Sequence, residues 1–276
     1  MNRIFTAFVE HKDFRRTRPW SLVRQHFDRP TLSPPHYAET IEVLICKGIR
    51  GVAHIDGKRF DMSGDRVFFI APQVVHSFEY QASSGTVLAV KWHPALLTDY
   101  LSLDKILEQH GLSIASIAVL HENLADFYPL AERLDEGSDT VTAIAAITAM
   151  LAHFIAGTDV SSHSNVSLKG ESESGSVINA VIAWTEQNYS RRIALDEVAR
   201  EFGYTKNYFC DWFKSRTGIT YLTYLNHVRV TNACALLRKG LPVNRVRMLC
   251  GFETDSYFIA LFKRTVGVTP KAYQRR

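Results

Sequence analysis

Between residues 37 and 93 the hydrophobic positions come in short runs cut by turn residues. The runs IEVLICKG, VAHIDGKRF, DRVFFIAP, HSFEY and TVLAVKW each have strand length. Asp56-Gly57 is a hairpin signal, because glycine takes positive φ at little cost. Pro72 and Ser83-Ser84-Gly85 mark further breaks. Many short strands with close turns predict a β-sandwich or small barrel. From about residue 95 the spacing turns helical, with candidates in LLTDYLSLDKILEQHG (96–111) and LHENLADFYPLAERLDEG (120–137). A further helix is expected over 141–157, where Ile144, Ile147, Leu151, Phe154 and Ile155 share one face. It falls short of the roughly 20 residues of a membrane span. It also carries threonines and His153, so it reads as a packing or dimerisation helix.

Residues 158–176 are Ser-rich and nearly free of large apolar groups, which predicts an interdomain linker. Everything after it reads helical. There the chain writes one phrase twice: GYTKNYFCDWFKSRTG at 203–218 and GFETDSYFIALFKRTVG at 251–267. Aligned at Thr205 and Thr254, Tyr208 meets Tyr257, Phe209 meets Phe258, Phe213 meets Phe262, and Gly218 meets Gly267. Upstream the offset is one shorter, because Glu253 is an extra residue, and Ala199 meets Arg247. The result is an internal duplication of a unit near 49 residues. In the first unit Leu195, Val198, Ala199 and Phe202 line one face of a short helix. Gly203 suits a helix stop, and Thr205 suits the N-cap of the next helix. Tyr204 and Phe209 are spaced as a hydrophobic staple. Two helices joined by a short glycine-containing turn make a helix-turn-helix, whose second helix fits the DNA major groove. Residues 220–240 lack Pro and Gly until Gly240, so one long helix is expected to join the units. A separation of about 34 Å would put both second helices on one face of a duplex.

Charge sharpens this picture. Residues 176–276 hold 16 Lys and Arg against 7 Asp and Glu, while the whole chain has a net charge of only +4. A basic C-terminal third behind an acidic remainder suits a polyanion-binding tail domain. The four cysteines, Cys46, Cys210, Cys234 and Cys250, form no C-x-x-C pair and read as reduced thiols. The first residues lack the apolar core of a signal peptide.

The C-terminal hundred residues resemble the AraC/XylS transcription regulators. The stretch beginning LDEVAREFGYTKNYF carries the likeness, and so does the closing order G-F, S-Y-F, F-K, G, T-P and Y. By that resemblance, base-reading positions fall on Asn207, Cys210 and Asp211 in the first unit. In the second they fall on Asp255, Ser256, Ile259 and Ala260. Phosphate contacts are expected from Thr205, Lys206, Lys214, Arg216, Thr254, Lys263 and Arg264. The positions of Asp211 and Ala260 are often basic in relatives. Asp211 can accept from cytosine N4 but repels phosphate, and Ala260 offers only apolar contact, such as to a thymine methyl. A long charged side chain at Arg247, a packing position in the first unit, must snorkel or tilt its helix.

The resemblance also implies a cupin-like sensing barrel followed by dimerising helices. PHYAETIEVLICKG and GDRVFFIAPQVVHSF resemble the two cupin motifs, with His36, Glu42 and His76 near metal-ligand positions and Ala38 replacing a histidine. These three suffice for a two-His-one-carboxylate set. Such barrels in regulators mostly take organic ligands, so no metal or other cofactor is assigned. His36, Glu42, His54, Arg66 and His76 are the expected polar lining of an effector site. The basic stretch HKDFRRTRPWSLVRQ (11–25) is expected to precede the barrel as an arm.

The fold class expected is therefore α+β. A cupin-like barrel with dimerisation helices (1–157) and a linker (158–176) precede an all-α domain (177–276), whose helix-turn-helix units (195–216 and 243–266) are joined by a long helix. The expected function is sequence-specific DNA binding set by a small-molecule effector. Double-stranded DNA, RNA polymerase and a second copy of the chain are the partners, in the cytoplasm and away from membranes. A metal-cupin enzyme and an adaptor with a degenerate DNA-binding fold are the alternatives.

Overall fold

The computed structural model describes residues 19–82, 85–98, 103–109, 118–121, 125–135, 137–157 and 172–275. The chain divides into two compact units, Met1–Gly175 and Ser176–Arg276. Among the described residues of the first, nine strands form two antiparallel sheets. They are β1 (Trp20–His26), β2 (Thr31–His36), β3 (Ile41–Ile49), β4 (Gly51–Ile55), β5 (Lys58–Asp61), β6 (Gly64–Ile70), β7 (His76–Tyr80), β8 (Thr86–Trp92) and β9 (Ala118–His121). One sheet runs β1-β8-β3-β6-β9 and the other β2-β7-β4-β5. The hairpin at Asp56-Gly57 has positive φ at both residues, 50° and 73°, as a tight turn between twisted strands requires.

Strand alternation explains where the cores lie. Leu44 and Cys46 of β3 point inward and pack with Phe68, Phe78, Tyr80 and Val87 between the sheets. Ile41, Val43 and Ile45 point the other way, where helices cover the five-stranded sheet. Burial on both faces is why IEVLIC reads as an unbroken apolar run. The covering helices are α1 (Ala95–Thr98), α2 (Leu103–Gln109), α3 (Tyr128–Glu132) and α4 (Thr140–Gly157). Phe154 of α4 stacks on Phe69 at 4.3 Å between ring centroids, and Phe127 meets Phe69 edge-on at 5.7 Å. The apolar face of α4 is thus spent on the core of its own chain: Ile147, Leu151 and Phe154 are buried against the sheet.

Two local expectations are corrected. Residues 20–25, read as an arm before the barrel, belong to β1, which pairs with β8 from Trp20↔Trp92 to His26↔Thr86. Trp20 is buried in the sheet–helix core and anchors the strand there. Residues 11–18 of that stretch lie outside the described residues. Leu120 and His121, read as the start of a helix, are in β9, where backbone pairing with Phe68 and Val67 prevails over helical spacing.

The second unit is all helix: α5 (Ser172–Asn188), α6 (Leu195–Glu201), α7 (Lys206–Thr217), α8 (Tyr221–Arg238), α9 (Val243–Leu249), α10 (Asp255–Val266) and α11 (Pro270–Gln274). Helix α5 begins at Ser172, inside the stretch read as linker; residues 158–171 lie outside the described residues. The aromatic core of the first repeat is Phe209, Phe213, Tyr221 and Tyr224, with neighbouring centroids 5.3–6.4 Å apart. Among the described residues no helix is long and apolar enough to cross a membrane.

Candidate nucleic-acid interface and effector pocket

Both repeats close their first helix the same way. Tyr204 N–H donates to Ala199 O at 2.8 Å and Gly203 N–H to Arg200 O at 3.1 Å. In the second unit Phe252 N–H donates to Arg247 O and Gly251 N–H to Met248 O, each at 3.1 Å. This is the Schellman stop, with Gly203 at φ 75° and Gly251 at φ 73°. At Gly251 a Cβ would also sit 2.6 Å from Tyr189 O, so glycine is required twice over. Helices α7 and α10 then start at Thr205 and Thr254 and end at the left-handed residues Gly218 and Gly267.

The caps differ. Thr254 Oγ1 accepts from Tyr257 N–H at 3.3 Å, whereas Thr205 has cap geometry without a side-chain bond. Tyr204 lies over Tyr208 at 5.0 Å and Trp212 at 5.1 Å, while Phe209 turns into the core. A tyrosine keeps its hydroxyl near solvent more cheaply on that outer, aromatic-lined side.

Each second helix buries one aromatic edge and shows solvent a polar stripe. On α7, Lys206, Asn207, Asp211 and Lys214 are exposed, with Cys210 and Arg216 half-buried. On α10, Asp255, Ser256, Ile259, Ala260, Lys263 and Arg264 are exposed. Ile259 is 41% exposed, an unusual place for a large apolar side chain and one suited to thymine methyl groups. Lys206 Nζ stands 3.4 Å from Asp196, an exposed pair too weak to withhold the lysine from a phosphate.

The Arg247 head is held by the turn that follows its helix. Its Nη1 donates to Phe252 O at 2.6 Å and Glu253 O at 3.0 Å, and its Nε lies 2.7 Å from Asp255 Oδ1. The guanidinium therefore ties together the longer turn that Glu253 creates. It also occupies one of the carboxylates expected to read bases. Asn226 of α8 positions the same helix by donating to the Tyr257 hydroxyl at 2.9 Å. Arg229 of α8, buried, donates to Tyr189 O and Arg191 O at 2.9 and 2.8 Å, seating the end of α5 against the joining helix. Periodicity marks neither contact, since both residues look like ordinary polar positions in a helix.

In the barrel a cavity opens between the two sheets. Its polar lining includes Gln25, Ser33, His36, Glu42 and Lys91, and its apolar walls include Phe78 and Tyr80. It has room for about two or three water molecules. His76 adjoins it, with Nε2 3.6 Å from Glu42 Oε2 and its ring 4.2 Å from that of His36. Of the five residues expected to line this site, His36, Glu42 and His76 come together. His54, on β4, and Arg66, on β6, are not part of the lining. Lys91 Nζ binds Glu42 Oε2 at 2.8 Å in a buried ion pair. Sequence reading passed over Lys91, although Val87, Ala89 and Lys91 alternate on one face of β8 and so point the charge inward.

Burial alone would raise the Glu42 carboxyl, but the Lys91 ammonium and the His76 imidazole outweigh it and hold it well below the usual carboxylate range. Burial, then the neighbouring His76, pushes His36 well below its ordinary value, so it is neutral. Burial raises the Cys46 thiol, and pushes Cys234 and Cys250 up to about 12, which keeps these three protonated and unreactive.

Residues 20–152 match the AraC-like ligand binding domain, and residues 198–276 match a helix-turn-helix domain. The HTH-type transcriptional activator RhaS of Escherichia fergusonii is 25% identical, with 86% of each chain covered. RhaS of Salmonella schwarzengrund is 24% identical over the same shares. Among solved structures, the DNA-binding domain of AdpA in complex with a target DNA is 27% identical. It covers 36% of this chain and 89% of that one, with a TM-score of 0.35. ToxT of Vibrio cholerae covers 93% of this chain and 97% of that one at 14% identity, with a TM-score of 0.46. The two matched models span most of the chain in the order found in the structure, a ligand-binding barrel and then paired helix-turn-helix units. The chain belongs to the AraC-type transcription regulators: it is a DNA-binding regulator with an N-terminal ligand-binding domain, not an enzyme.

Proposed function

We propose that the protein is a cytoplasmic, dimeric transcription activator whose barrel binds a small effector and whose two helix-turn-helix units both engage one DNA site. Residues 1–157 form the sensing part, 158–176 the connection and 177–276 the DNA-binding part. The duplicated unit carries the reading: two helices of the same length, each with the same Schellman entry, present exposed stripes beside Lys214 and Lys263. Asn207, Cys210 and Asp211 face bases from α7. On α10, Ser256, Ile259 and Ala260 do so, with Asp255 restrained by Arg247. Thr205, Lys206, Lys214, Arg216, Thr254, Lys263 and Arg264 grip phosphates. The name borne by the RhaS relatives supports activation, which requires RNA polymerase as a partner.

Selection of the full chain against random duplex DNA, followed by salt titration of the winners, tests this. The expected result is a site with two conserved segments about one helical turn apart and affinity that falls steeply with salt. One short segment would reduce α10 to a phosphate clamp. Binding no tighter to selected than to random DNA would favour an adaptor, a reading motivated by Asp211 and Ala260.

A further inference from the structure

Tyr257 is the third residue of α10 and is 46% exposed, a large aromatic side chain left open on a helix that a duplex must approach. It is held at three points. Its backbone N–H donates to Thr254 Oγ1 at 3.3 Å, its ring lies 6.3 Å from that of Phe252, and its hydroxyl accepts from Asn226 Nδ2 at 2.9 Å. We propose that the Tyr257 hydroxyl is a preset donor to a DNA backbone phosphate, and that Asn226 of α8 is the positioning residue that presets it. The inference rests on the reading of α10 as a helix that enters DNA, and adds to it a contact that no charged residue supplies.

A hydroxyl has one hydrogen to donate and lone pairs with which to accept. The Asn226 amide occupies a lone pair, so the hydroxyl hydrogen is turned away from Asn226. A phosphate oxygen only accepts, and its charge makes it a strong partner for such a donor. The asparagine is otherwise a poor residue for its place. It is buried, and its Oδ1 has no hydrogen-bond partner among the described residues. A leucine of similar size would avoid burying that oxygen. What the asparagine supplies and a leucine lacks is the hydrogen bond to Tyr257. A side chain already fixed in this way loses little freedom on binding.

Position selects phosphate over base. Successive helix residues are about 100° apart, so Tyr257 and Arg264, seven residues on, share one edge of α10. Ser256, Ile259, Ala260 and Lys263 form the exposed stripe beside that edge. A helix about 10–12 Å across fills a major groove about 12 Å wide. The stripe then faces the bases, and the edges face the sugar–phosphate walls. This edge also runs along α8. Asn226 reaches Tyr257, and the next residue, His227, lies within electrostatic reach of Arg264. Arg264 thus gives the edge a cation, and Tyr257 gives it a neutral donor.

The test uses the full chain and the duplex it selects from random DNA. Tyr257→Phe should bind that duplex about tenfold more weakly, the worth of a hydrogen bond to a charged group. It removes no charge, so the slope of log affinity against log salt should match that of the native chain; loss of a lysine contact would lower it by about 1. A second selection with Tyr257→Phe should return the same base sequence, because phosphates carry none. Asn226→Leu should weaken binding about threefold, since a loose hydroxyl must be ordered on the DNA. Tyr257→Phe alone leaves the Asn226 amide unpaired, whereas Tyr257→Phe/Asn226→Leu removes both partners. That double variant should keep the native Tm and bind as weakly as Tyr257→Phe. A lowered salt slope or an altered selected sequence in Tyr257→Phe overturns the proposal. A native chain that selects no site overturns the DNA reading and this inference with it. A native chain that selects a site which the double variant binds equally well overturns this inference alone.

Discussion

Arg247 shows how a single side chain adapts a repeat. The first unit has a methyl at the aligned position, Ala199, buried against its neighbours. The second has a one-residue longer turn, and the guanidinium fills it with two hydrogen bonds and an ion pair. Arg247→Ala should cost about 2 kcal/mol of stability in the C-terminal unit, from hydrogen bonds with a charged donor. It should also weaken DNA binding, because Asp255 regains an unneutralised carboxylate; Arg247→Lys restores only part, lacking the planar fork. Thermal unfolding and DNA titration of the full chain read both effects. His227 is a second sensitive residue. Burial, and then Arg264, depress it from 6.5 to about 4. The unfolded chain therefore binds the proton more readily between those values, and stability falls as pH drops from 6.5 to 4. His227→Gln should flatten that part of a stability-versus-pH curve. Such residues are poorly legible in sequence, since an Arg or His in a helix looks the same whether it faces water or a carbonyl.

At the scale of elements, the helix stops separate two demands on glycine. Gly203 needs only its positive φ, because a Cβ there meets nothing within 4 Å. Gly203→Ala should cost about 1–2 kcal/mol, the left-handed penalty alone. Gly251→Ala should cost clearly more, because its Cβ meets Tyr189 O at 2.6 Å. The fall in Tm of the C-terminal transition ranks the two. The stops themselves were readable from the repeated glycines; the second demand was not, because Tyr189 is distant in sequence. Helix α4 makes the same point. Its apolar face is plain in the pattern, but only the stacked Phe154–Phe69 pair shows that the face is covered by the chain's own sheet.

At the scale of the whole molecule, the two units each bury a core of their own. Separate expression of residues 1–171 and 172–276 should give two folded pieces, with DNA binding confined to the second; independent cooperative unfolding of each would establish it. The basic balance of the C-terminal unit also predicts the form of the salt dependence. Lys214→Ala and Lys263→Ala should each lower the slope of log affinity against log salt by about 1, without changing the preferred site.

Local patterns along the chain were enough for the tandem helix-turn-helix and the strand-rich barrel. Each depends on residues close in sequence: glycine stops, cap residues, a period of two or of 3.6. Where residues met across elements, only the tertiary structure decided. Strand pairing placed Lys91 on Glu42, set His76 beside His36, and left His54 and Arg66 out of the cavity lining. It also drew Trp20 into a sheet. The physical reason is that register between distant strands is set by whole-face burial, and a single charge or imidazole in the sequence carries no mark of the partner that burial will bring to it.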